Sequence, residues 1–311
     1  MPARPFRRLA IAASLFATAA AGAHAQPAAA PSQPEGATGF APRAAVLARR
    51  EMVATANLHA SEAALATLAR GGGAVDAAIA AQMVLTLVEP QSSGIGGGAF
   101  LLHHDARRGE LVAWDGRETA PAAADERLFV GPDGRPVAFF DAVVGGRSVG
   151  VPGVLRMLEA AHARHGRLPW PTLFEPAIRL ATEGFEVSPR LHALLASERH
   201  LKRDPAAARY FYAPDGAPWP VGHRLRNPEL ADTLSQLARR GALALHAGPI
   251  ARDLVAAVRG HPTNPGLLSE RDLAFYAPVA REPLCTPYRR WVVCGMPPPS
   301  SGGIAVAQIL A

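Results

Sequence analysis

Gly146-Arg147-Ser148-Val149-Gly150 fits G-x-S-x-G, the pattern of a nucleophile elbow, where a serine on a sharp strand-to-helix turn attacks an acyl group. Asp204, Asp215, Asp232 and Asp253, with His223, His246 and His261, follow it in the chain order a serine triad needs. Pro152 and Gly153 delay the helix that should begin directly after the serine, so the plainer reading is a turn that starts a helix at Pro152. Gly94, Gly96 and Ala99 in SSGIGGGAF fit G-x-G-x-x-A, yet a helical pattern precedes them and a strand-like one follows, the reverse of a dinucleotide loop. Close backbone packing, with a buried helix turning tightly into a central strand, accounts for these glycines better.

Arg117 in AWDGRETAP closes a strand pattern and enters a loop, where its forked guanidinium can hold a carboxylate bidentately. By its chemistry alone it suits a surface arginine or a partner of Asp115 or Glu118 better. His162 and His165 are one turn apart but lack an H-E-x-x-H frame, and His103 and His104 point to opposite faces of a strand. All four read as solvated surface residues, and no metal or other cofactor is implied. Cys285 and Cys294 in LCTPYRRWVVCG face each other if the segment is a hairpin turning at Arg289-Arg290. In an oxidising compartment they form a disulfide; otherwise they are two buried thiols.

The elements that must hold these residues are mostly helical. SEAALATLARGG reads as a helix closed by glycine, and AVDAAIAAQMVLTLVE is apolar on nearly every side, so it belongs in the middle of a domain. AFLLHHD and ELVAWDGR flank ARRG as an antiparallel hairpin, and PVAFFDAVV is strand-like. Ser188-Pro189 and Asn227-Pro228 are helix starts, with stops at Gly166, Gly184 and Gly241. Three prolines, Pro297 to Pro299, then Ser300 and Ser301 introduce a last apolar helix that reaches Ala311 without a stop signal, which predicts that a larger protein has been cut.

Arg4, Arg7 and Arg8, an apolar run from Leu9 to about Gly22, and Ala23-His24-Ala25 predict a secretory signal peptide over 1–25. The mature protein is then exported, to the periplasm or beyond, and starts at Gln26 with a Pro- and Ala-rich, disordered leader over 26–40. Losing three arginines lowers the formal charge from +6 to +3, and the remaining arginines are scattered among acids with few aromatics. This argues against a nucleic-acid partner. No other apolar run is long enough for a membrane span.

RGGGAVDAAIAAQMVLTLVEPQSSGIGGGAFLL, WDGRETAP, VGVPG, ALHAGPIARDLVAAV, LLSERDLAFY and MPPPSSGG, in this order, resemble the landmarks of the gamma-glutamyltransferase (glutathione hydrolase) family. The resemblance runs over 41–311; Gly73, where the family commonly has asparagine, is a small departure at a helix entry. It implies an α/β (α+β) N-terminal-nucleophile hydrolase fold, a four-layer αββα sandwich left incomplete because a small subunit is missing. In such proteins one precursor cuts itself, and the new N-terminal threonine of the small subunit attacks the γ-glutamyl amide of glutathione or a similar donor. Water, an amino acid or a dipeptide then accepts the γ-glutamyl group. No Thr-Thr-His-type segment occurs here, so the resemblance places the nucleophile beyond Ala311 and leaves this chain without activity of its own. It also gives Arg117 the role of pairing with the α-carboxylate of the γ-glutamyl group. Related acylases of cephalosporin side chains, capsule-processing transpeptidases, a serine hydrolase at Ser148 and a non-catalytic large subunit remain the competing readings.

Overall fold

The computed structural model describes residues 44–311, so the expected signal peptide and leader lie outside the described residues. In chain order come α1 (Leu58–Ala69), α2 (Ala74–Val88), β1 (Ala99–Asp105), β2 (Glu110–Gly116), α3 (Phe139–Val143) and α4 (Val154–His165). α5 (Glu175–Glu183), β3 (Phe185–Glu186), α6 (Pro189–Ser197), α7 (Pro205–Phe211) and β4 (Arg224–Leu225) follow. The remainder is α8 (Pro228–Arg240), α9 (Leu243–His246), α10 (Pro249–Arg259), α11 (Glu270–Phe275), β5 (Val279–Arg281), β6 (Leu284–Tyr288), β7 (Trp291–Gly295) and α12 (Gly302–Leu310).

Local chemistry sets most of the helix ends. Asn57 accepts the His59 N–H at 3.1 Å ahead of α1, Ser188 accepts that of Leu191 at 3.0 Å, and Asn227 that of Leu230 at 2.9 Å. Gly184 and Gly241 end α5 and α8 at φ 95° and 78°, where a side chain is strained. Asp76, fully buried in the first turn of α2, accepts the Gly73 N–H at 2.7 Å and the Arg167 N–H at 3.0 Å, tying the start of α2 to the loop after α4.

α2 is the axle of the molecule. Val75, Ile79, Met83, Val84, Leu87 and Val88 are each at most 2% exposed, and α1, α4 and α5 surround them. β1 and β2 pair antiparallel from Ala99↔Gly116 to Asp105↔Glu110, and β5 joins the other edge of β2 with Trp114↔Ala280. Among the described residues the order is β1-β2-β5, so the glycine loop feeds the outer strand of this three-stranded sheet. The strand that makes β2 central comes from far along the chain, which no local pattern announces. One sheet face packs Leu101, Val112 and Trp114 into the helical core. On the other face lie Phe100, Asp115 and Val279 in one row and Leu102, Ala113 and Arg281 in the next. Among the described residues the other sheets have two strands, β3–β4 and β6–β7.

PVAFFDAVV is not a strand. Residues 139–143 form the short helix α3, whose Ala142 carbonyl and following Val144 carbonyl accept from the Asn264 side chain. Phe139 and Phe140 lie at the surface, with Phe140 stacked on His200 at 4.5 Å. A short apolar run carries no period of its own, and here a buried asparagine rather than a neighbouring strand takes up the backbone groups.

Candidate functional site

β2 runs from an exposed start to a buried end, and Arg117 is the first residue past it. Gly116 is pressed against α4, where an added Cβ would collide with Met157, and Gly153 leaves no room for a Cβ between the Gly116 carbonyl and the Tyr276 hydroxyl. These glycines bring three separate segments together at the base of Arg117.

Asp115, buried just before the strand ends, accepts the Arg117 N–H on Oδ1 at 3.0 Å. Its Oδ2 accepts from Arg281 Nε at 2.8 Å, so the carboxylate pairs with Arg281 and not with the Arg117 guanidinium. The Tyr276 hydroxyl donates to the Arg117 carbonyl at 2.8 Å. Burial, reinforced by the carboxylates of Asp115 and Glu118, pushes that hydroxyl up to about 12, so it stays protonated and remains a donor. Arg117 itself is exposed, with Cζ 5.9 Å from the centre of the Phe100 ring. Among the described residues its guanidinium makes no ion pair or side-chain hydrogen bond.

Glu118, the other partner considered for Arg117, faces the glycine loop instead: a Cβ at Gly98 would collide with its carboxylate. The Gly97 carbonyl accepts the N–H groups of Gly153 at 2.9 Å and Val154 at 3.1 Å, and Val151 donates to Thr119 at 2.8 Å. SSGIGGGAF, WDGRETAP, VGVPG and the tyrosine of LLSERDLAFY thus meet at one place. The glycine loop serves there as a close-packed wall, through a carbonyl rather than through a cradle of N–H groups.

No triad forms around Ser148. Its Oγ donates to the Val143 carbonyl at 3.0 Å. His246 donates through Nδ1 to the Leu273 carbonyl at 2.9 Å, His261 accepts the Asn264 N–H, and His223 stacks on Trp219 at 3.9 Å. Asp204 and Asp215 accept backbone N–H groups of Ala207 and Ala217. The segment is the turn before α4, which starts at Val154.

His104 is exposed as expected, but His103, His162 and His165 are less solvated. His162 donates to the Leu168 carbonyl at 2.8 Å and lies 3.5 Å from Asp76. The rings of His103 and His165 lie 4.1 Å apart and tilted, and burial, more than any neighbouring charge, lowers the pKa of both. β1 and the last turn of α4 bring them together, a contact between distant segments that residue type does not report. No group of three or more metal-ligating side chains occurs among the described residues. Cys285 and Cys294 are paired across β6 and β7 and are disulfide-bonded. The chain turns between them at Arg289-Arg290, with Arg289 at φ 54°.

The gamma-glutamyltranspeptidase family model matches residues 60–311. The chain belongs to that family. Glutathione hydrolase proenzyme of Bacillus subtilis (strain 168) is 37% identical over 259 residues, which are 83% of this chain and 43% of that protein. Acylase ACY 1 proenzyme of Pseudomonas sp. (strain V22) is also 37% identical, over 268 residues, 84% of this chain and 47% of that protein. The chain therefore spans less than half the length of these relatives. The crystal structure of Helicobacter pylori gamma-glutamyltranspeptidase superposes with a TM-score of 0.81 at 31% identity, covering 86% of this chain and 75% of that one. The fold is the mixed helix-and-sheet fold of the gamma-glutamyltranspeptidases, which are N-terminal-nucleophile hydrolases. Among the described residues no helix is long and apolar enough to cross a membrane.

Tyr276 and Arg281 are the members of the site that residue types did not single out. The only signal for Tyr276 is its place at the end of a family landmark.

Proposed function

We propose that this chain is the large-subunit portion of an exported, self-cleaving γ-glutamyl transferase and glutathione hydrolase. The observation that carries the reading is the guanidinium of Arg117: exposed, without a carboxylate partner among the described residues, and mounted on a backbone held at both ends. A planar fork in that state suits the α-carboxylate of a γ-glutamyl donor.

The nucleophile is an N-terminal threonine of a small subunit released from the same precursor. Its α-amine takes the hydroxyl proton as the oxygen bonds to the γ-carbonyl carbon, and the same proton goes to the departing amine as the amide C–N bond breaks. Water or the amine of an acceptor amino acid or dipeptide then attacks the ester, returning the threonine hydroxyl. Arg117 takes no part in these transfers; it sets where the donor lies. The signal-peptide pattern supports export, and the disulfide suits an oxidising compartment.

Sequencing the gene past the codon for Ala311 tests this directly. The expected result is an open frame leading to a Thr-Thr-His-type segment. Turnover of a γ-glutamyl anilide by the purified 311-residue chain would overturn the assignment of the nucleophile to a small subunit. The equal identity to the ACY 1 acylase favours a second reading, an acylase acting on acyl groups other than γ-glutamyl. An enzyme that prefers such acyl donors to γ-glutamyl ones would establish it.

A further inference from the structure

We propose that Asp115 and Tyr276 are positioning residues for Arg117, which together fix where its guanidinium meets the donor carboxylate. The inference rests on the γ-glutamyl reading above. Arg117 stands outside the strand and is exposed, and a long side chain there loses much rotamer freedom when it binds. Its main chain is nevertheless gripped at both polar groups. The N–H is held by Asp115 Oδ1 at 3.0 Å and the carbonyl by the Tyr276 hydroxyl at 2.8 Å. Phe100, cross-strand partner of Asp115, lies on the same sheet face and gives the guanidinium a ring to rest against.

Each clamp is anchored in turn. Tyr276 is 7% exposed and belongs to a small core with Val151, Val258, Leu268 and Leu273. Asp115 is oriented by Arg281 on β5. With its Nε donating to Asp115, the charge of Arg281 is already paired on this face, whereas that of Arg117 is not. Neither clamp touches the substrate; both act through the main chain of Arg117.

The test uses the self-processed enzyme containing this chain and two anilides, γ-glutamyl and 4-aminobutyryl, the second being the first without its α-carboxylate. Arg117→Ala is expected to collapse the preference for the γ-glutamyl anilide by about a hundredfold. Tyr276→Phe keeps the ring and removes one hydrogen bond. It should raise KM for the γ-glutamyl anilide about fivefold with little change in kcat, and leave the 4-aminobutyryl anilide unaffected. Asp115→Ala should act in the same direction more strongly, and Asp115→Asn, which retains an acceptor for the Arg117 N–H, should restore most of the loss.

If Arg117→Ala leaves the preference intact, the γ-glutamyl reading fails and the clamp falls with it. If Arg117→Ala collapses the preference while Tyr276→Phe and Asp115→Ala move both anilides equally, or neither, the clamp alone is overturned. A readout free of turnover uses the 311-residue chain: exchange of the Arg117 amide hydrogen should quicken about tenfold in Asp115→Ala and stay near wild type in Asp115→Asn. Equal exchange in all three proteins overturns the proposal, and if Asp115→Ala fails to fold, Tyr276→Phe carries the test.

Discussion

The helical body and the C-terminal segment handle apolar surface in opposite ways. In the body, Ile79, Met83, Leu155, Phe174, Leu234 and Leu237 from α2, α4, α8 and the turn before α5 are all but sealed from water. In the C-terminal segment α12 has no buried residue, with Ile309 80% exposed, and Trp291 and Val292 of β7 stand open. α2 and α12 are both apolar nearly all round. What separates them is neighbours: among the described residues α2 has helices around it, whereas α12 packs mainly on the β6–β7 hairpin. Hydrophobic burial requires a partner as well as an apolar side chain, so stability must be concentrated in the body.

That contrast can be broken by measurement. Phe174→Ala opens a cavity in the sealed core and should cost about 3–5 kcal/mol in denaturant unfolding; a loss under about 1 kcal/mol would remove the distinction between the two regions. Replacing Cys285 and Cys294 by serine releases a short loop whose closure stabilises by under about 3 kcal/mol. Amide exchange should quicken in β6 and β7 while α2 stays protected, and loosening that spreads to α2 would show that the two regions unfold as one.

Acid should weaken the contact between β1 and α4. Burial lowers the pKa of His103 and His165, and of His246 beneath α11, below the ordinary histidine value of 6.5. The unfolded chain therefore binds protons that the folded chain does not. Stability is unaffected well above 6.5, begins to fall as pH drops through 6.5, and continues to fall until the folded histidines are themselves protonated. Melting temperatures between pH 7.5 and 5 check the direction, and His165→Phe should flatten part of the slope. The smallest effect belongs to the open region: Ile309→Ser should change unfolding by less than about 0.5 kcal/mol. It should reduce self-association in sedimentation, because the exposed apolar patch shrinks.

Where the physics is local, the sequence was readable. Ser188, Asn227, Gly184 and Gly241 act within a turn of their own position, and the β1–β2 and β6–β7 hairpins close over short loops. PVAFFDAVV failed because a run that short carries no period, and its backbone partner, Asn264, is far away in the chain. The reading of His103 and His165 failed for the same kind of reason, since the burial that sets their character is made by α4 meeting β1.

The site divides along the same line. By itself the sequence determined that Arg117 ends a strand at a loop, because alternation and a guanidinium fork are properties of one segment. Its segment landmarks determined the family, through their order along the chain. Only the tertiary structure decided that Asp115 belongs to Arg281, that Glu118 faces the glycines, and that Tyr276 holds the Arg117 carbonyl. Each of those pairings joins groups that are equally able to pair elsewhere, and proximity in space, which the pairing of β5 with β2 and the small core that holds Tyr276 create, is what selects among them.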